Sequence, residues 1–269
     1  MRKTIIGKRK KTVTDPVRDA EERFDGTSVR DAEERYGGAF VRKKTVSPWE
    51  TWISRCTTGQ FSGLDGGYHR HCGPTAITNL ILTLNRRYRY FDDPVPAEVF
   101  SAVSKIGQKK KIYWNTDILG HFGGTYDMFT ELYIRACLKY YGIPVSSRNG
   151  ADRYGSSDIR PVTIRWSGFP AEIQFIRALD AGKLLYLQLH HHPCYGSHHL
   201  LCYGYTIVQS IRETDEEKEN GAGPVRKENG AGPVRRQREI YLILADGWNR
   251  QPRYLRLKSR GICHFFAIG

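Results

Sequence analysis

Residues 72–84 restrict the fold of this chain more than any other stretch. Pro74 suits the first turn of a helix, where its missing N–H costs nothing. Ile77, Leu80, Ile81 and Leu84 then recur at helical spacing, so the sequence predicts a helix with a buried face. Cys72 stands where the chain enters that helix. Unpaired N–H groups and the positive end of the helix dipole favour a thiolate there, and the thiolate is the nucleophilic form. Taken alone, such a cysteine is better read as a buried residue that happens to start a helix.

More than a hundred residues downstream, Gly196-Ser197-His198-His199 opens the apolar run Leu200-Leu201-Cys202-Tyr203, closed by Gly204-Tyr205. A second run with strand character, Ile240–Ala245, ends in Asp246-Gly247-Trp248-Asn249. The order is then cysteine on a helix, histidine on a strand, and acid at the end of the next strand. A thiolate–imidazolium pair needs a third group to hold the ring and its tautomer, and Asp246 is placed to supply it. Trp248 is expected to shield that pair from water.

On these residues the chain resembles the papain-type cysteine peptidases, in particular the compact bacterial branch related to the double-glycine (bacteriocin-leader) peptidases. Such enzymes carry Cys-Gly-Pro-Thr at the head of the central helix, a histidine five residues before Gly-Tyr, and an aspartate just past the following strand. The resemblance covers roughly residues 49–269. Counting back from Gly204-Tyr205, it selects His198 and not His199 as the base. It implies an α+β fold in which the nucleophile helix packs on a twisted antiparallel sheet, with the site in the cleft between the two halves. It further implies a thiol peptidase with the triad Cys72, His198 and Asp246, acting on a peptide or protein through a thioester, with neither cofactor nor metal. One element departs from the pattern. The glutamine expected about six residues before the nucleophile is replaced by Gly66, and Gln60 is the nearest glutamine upstream, so Gln60 is assigned the oxyanion. His69 and His71 are the other donors in range. Two alternatives stay open: acyl or amide transfer on the same machinery, since a thioester passes to an amine as readily as to water, and a peptide-binding homologue without catalysis.

The strands are expected near 161–166, 184–190, 199–208 and 239–245, with further ones at 253–257 and 262–268, and a helix is expected over 171–179. Thr125 is read as the N-cap of a helix from about Tyr126 to Tyr141. Residues 1–46 read as a charged, disordered arm before a catalytic domain over 47–269. Two tandem repeats, at 17–24 with 29–36 and at 218–226 with 227–235, are too few and too polar to build a solenoid. The second pair predicts a disordered insertion at about 210–238. The net charge of +14 is assigned to solvated faces and tails rather than to specific nucleic-acid binding, because no nucleic-acid-binding motif accompanies it. His190-His191-His192-Pro193-Cys194 places successive side chains in alternating directions, which argues against convergence on one ion. No apolar run approaches membrane-span length and the basic N-terminus lacks an apolar core, so the expected compartment is the cytoplasm, with all six cysteines reduced.

Overall fold

The computed structural model describes residues 40–42, 49–64, 70–116, 124–146, 164–167, 172–213, 234–257 and 261–269. The architecture is α+β, built on one antiparallel sheet. Its strands are β1 (Phe40–Arg42), β4 (Ile164–Ser167), β5 (Leu184–His192), β6 (Gly196–Glu213), β7 (Val234–Ala245), β8 (Arg253–Arg256) and β9 (Ile262–Ile268). They lie in the order β4-β9-β5-β6-β7-β8. β1 joins the far end of β6, beyond the stretch that β5 covers. A separate two-stranded ribbon, β2 (Tyr113–Trp114) with β3 (Gly124–Thr125), pairs Tyr113 with Thr125. Among the described residues no helix is long and apolar enough to cross a membrane.

The helices are α1 (Thr58–Phe61), α2 (Cys72–Tyr88), α3 (Pro96–Lys109), α4 (Thr130–Tyr140) and α5 (Glu172–Asp180). Every residue of α2 from Gly73 to Asn85 is buried, as a central helix requires. Ile77, Leu80, Ile81 and Leu84 join Phe100 and Val103 of α3, Ile134 and Leu138 of α4, and the sheet residues Tyr186, Leu201 and Tyr203 in one core. The opposite face of the sheet carries Leu185, Leu187, Leu200, Cys202 and Leu244, and is closed by Phe175 and Leu179 of α5. Helices therefore cover both faces, rather than all lying on one side.

The polar residues of α2 are buried with partners. Asn79 grips both backbone groups of Cys56, its Oδ1 accepting from the Cys56 N–H at 2.7 Å and its Nδ2 donating to the Cys56 carbonyl at 2.9 Å. Thr83 accepts from the Ser54 N–H at 2.9 Å and donates to the Asn79 carbonyl at 2.6 Å. These bonds tie the segment entering α1 to α2, which is thus fixed by direction as well as by apolar contact.

Three sequence expectations need correction. Residues 40–42 form a strand inside what reads as a disordered arm, and the remainder of residues 1–46 lies outside the described residues. Residues 210–213 and 234–238 of the expected insertion are strand, and its residues 214–233 lie outside the described residues. β6 and β7 stay paired out to Glu213 and Val234, the ladder continuing past the apolar residues because backbone pairing does not need them. Thr125 belongs to β3 and caps nothing. A 3-10 turn over Asp127–Phe129 precedes α4, and neither start is capped by a side chain.

Candidate active site

Cys72 is the first residue of α2 and His71 its N-cap. His71 is turned inward, edge-on to Phe100 at 5.2 Å, with Nδ1 facing the Thr75 hydroxyl at 3.5 Å. The Cys72 sulfur meets backbone N–H groups of His199, Gly73 and Cys72 itself. Burial nonetheless pushes its pKa up to about 11, those N–H groups opposing the rise and the nearby Asp127 carboxylate adding to it. Desolvation thus works against the thiolate that the helix terminus favours.

Of the two histidines on β6, the one whose backbone meets the Cys72 sulfur is His199, not the His198 that the motif selects. β6 pairs regularly with β5 through Leu185–Cys202, Tyr186–Leu201, Leu187–Leu200, Gln188–His199 and Leu189–His198. His199, Leu201 and Tyr203 thus point to the α2 face, and His198, Leu200 and Cys202 to the α5 face. Between Cys202 and Gly204 the pairing with β7 shifts by one residue. That bulge places Gly204, opposite Ile243, on the α2 side together with Tyr203. A count of six back from Gly204 assumes strict alternation. With one extra residue in the strand it lands on the wrong face.

His198 sits on the far side, buried between Tyr195, stacked on it at 5.4 Å, and Trp248 at 4.6 Å. Its Nε2 donates to the backbone carbonyl of Asp246 at 2.6 Å. Burial drives its pKa down to about 4, against the opposing influence of Asp246. The expected link to Asp246 exists, but through the main chain. The Asp246 carboxylate is spent on its own turn, where Oδ1 accepts from the Trp248 and Asn249 N–H groups at 2.9 Å each. Its Oδ2 accepts from Asn249 Nδ2 at 3.0 Å and the Tyr195 hydroxyl at 3.3 Å. Trp248 does cover the histidine, as expected. His198 and Asp246 form a buried structural unit.

On the α2 face a different acid takes the orienting place. His199 Nε2 lies 2.9 Å from Asp127 Oδ1, and its Nδ1 lies 3.1 Å from the Tyr186 hydroxyl. His190 meets the other oxygen of the same carboxylate. Burial raises the Asp127 pKa, but the hydrogen bond and charge of His199, with those of His190, more than reverse this and leave it below the ordinary value. Gln188 Nε2 holds the Asp127 carbonyl at 3.1 Å and the Thr130 hydroxyl at 2.6 Å, fixing the 3-10 turn that presents the carboxylate. Among the described residues neither imidazole is hydrogen-bonded to the Cys72 sulfur.

Gln60 is exposed on α1, its backbone N–H accepted by Thr57, and no hydrogen bond of its side chain occurs among the described residues. Gly66 and His69 lie outside the described residues. Sequence reasoning missed Asp127, which follows Gly123-Gly124-Thr125-Tyr126 with no family motif to mark it. The face that His199 takes was signalled only by Gly204, since a glycine inside a strand suggests a bulge. Among the described residues no group of three His, Cys, Asp or Glu side chains is arranged to hold a metal ion. Comparison with family models, with curated proteins and with solved structures finds no match to this chain.

Proposed function

We propose that the protein is a thiol-dependent peptidase of papain-like type whose working residues are Cys72, His199 and Asp127. The observation that carries this reading is the convergence on one sheet face of a helix-leading cysteine and a histidine whose ring is held by a carboxylate at 2.9 Å. Asp127 keeps the proton on Nε2 of His199, which leaves Nδ1 as the basic nitrogen. In the resting state Nδ1 accepts from Tyr186. When substrate enters, Nδ1 takes the Cys72 proton and the sulfur electron pair forms the S–C bond to a peptide carbonyl. The C=O pair moves onto oxygen, and the tetrahedral species then expels the amine, which receives the proton from His199. Water gives its proton to the same nitrogen, attacks the thioester and releases the acid and the thiol. The substrate class is a peptide or protein, and the proposed compartment is the cytoplasm.

The raised pKa of the Cys72 thiol and the doubly engaged imidazole favour a second reading, a peptide-binding homologue without turnover. Incubation of wild type and Cys72→Ala with a peptide mixture, followed by mass spectrometry of new N-termini, separates the two. Cleavage by the wild type alone supports the peptidase; identical profiles leave the binding homologue. A product joined to an added amine in place of the free acid identifies the transferase.

A further inference from the structure

We infer that the hydroxyl of Thr125 is the side-chain donor to the oxyanion, in the place that Gln60 does not fill; this rests on the thioester chemistry proposed above. Acyl transfer to Cys72 puts negative charge on an oxygen bonded to the carbon beside Sγ, and a site for it needs fixed donors next to the sulfur. One is the Cys72 N–H, which as the first N–H of α2 has no partner within the helix. The second must come from outside the helix.

Thr125 of β3 packs against the first turn of α2. Its Oγ1 lies 2.1 Å from where a Cβ on Gly73 would be, so the hydroxyl rests against the residue that follows the nucleophile, and only glycine at 73 leaves room for it. That Oγ1 is buried and has no hydrogen-bond partner among the described residues. A buried hydroxyl left unpaired costs about 1–3 kcal/mol, so such a group calls for a use in another state of the site. A rotatable O–H packed on Gly73, one residue past Cys72, has that use when an oxyanion forms. The same short strand leads within two residues to Asp127, so β3 and the 3-10 turn after it carry the donor and the orienting acid. Gln60, exposed on α1, and His71, turned toward Phe100, have no comparable placement.

The test compares two reactions of one sulfur. With p-nitrophenyl acetate, Cys72 forms the thioester, expels p-nitrophenolate and passes through an oxyanion. With iodoacetamide it displaces iodide at a saturated carbon and forms none. Thr125→Val keeps the shape and removes the donor, and Thr125→Ser restores it. The expected result is a burst of p-nitrophenolate about 10²-fold slower in Thr125→Val. Thr125→Ser should stay within about tenfold of wild type, with iodoacetamide rates at Cys72 and melting curves alike in all three. Thr125→Val acylating as fast as wild type would overturn the inference, as would equal slowing of acylation and alkylation, which marks a packing role. A wild type that never acylates at Cys72 would instead overturn the functional reading beneath it.

Discussion

The two adjacent histidines of β6 face opposite sides of the sheet, and Cys72 lies on one of those sides. His199 shares its face with Tyr186 and Asp127, and His198 shares the other with Tyr195 and Trp248. Replacing His199 by Ala is expected to slow acylation of Cys72 at least 10²-fold in the folded protein, and to cost about 2 kcal/mol as well, because it leaves Asp127 and the Tyr186 hydroxyl without their partner. Replacing His198 by Ala is expected to destabilise the fold by about 2 kcal/mol, through lost packing and an unpaired Asp246 carbonyl, while the surviving folded protein acylates normally. Acylation of the folded fraction, fixed by denaturant titration, distinguishes the two. Tyr186 supplies a further check. Its hydroxyl occupies Nδ1 of His199, so Tyr186→Phe frees that nitrogen for the thiol. Iodoacetamide labelling of Cys72 at neutral pH should then be several-fold faster than in wild type, where a thiol titrating at about 11 reacts slowly. Unchanged labelling would show that the hydroxyl does not restrain the base.

At the scale of elements, α2 and the strands were legible because their signals are local. Pro74 in the first turn and the 77–80–81–84 spacing define a buried helix without reference to the rest of the chain. The apolar runs at 184–189, 200–205 and 240–245 define strands in the same way. What escaped depends on contacts between distant segments. The one-residue shift at Gly204 is a relation between β6 and β7, and it reverses which histidine meets the helix. Asp127 reaches His199 only because β3 and the 3-10 turn are laid across the start of α2, which no periodicity announces. The burial that raises the Cys72 pKa likewise belongs to the assembled site. An element-scale prediction follows from the Asn79 clamp. Asn79→Ala leaves the Cys56 N–H and carbonyl unpaired in the interior, and should lower stability by about 2–4 kcal/mol in denaturant unfolding. A loss below about 1 kcal/mol would mean that water or a shifted backbone replaces the clamp.

Over the whole molecule, two buried histidines set the response to acid. His198 is depressed to about 4, and His192, whose Nδ1 accepts from the Cys194 and Tyr195 N–H groups, is depressed by burial as well. Below its ordinary value of 6.5 each binds a proton in the unfolded chain before it does so in the folded one. Stability therefore climbs as pH rises from about 4 to 6.5 and is steady with respect to these groups above that. The melting temperature should fall by several degrees between pH 7 and pH 5, and His198→Gln, which does not titrate, should flatten the curve. A melting temperature constant over that range would show that neither ring stays neutral in the fold. The fold and the functional account join at a single point, namely which face of β6 serves Cys72. The direct measurement is intact-mass and peptide-mapped acylation by p-nitrophenyl acetate in wild type, His198→Ala and His199→Ala at pH 7. The account predicts one hydroxylamine-labile acyl group on Cys72 in wild type and in folded His198→Ala, and at least a 10²-fold slower appearance in His199→Ala. Rapid acylation of His199→Ala with loss in His198→Ala would contradict it.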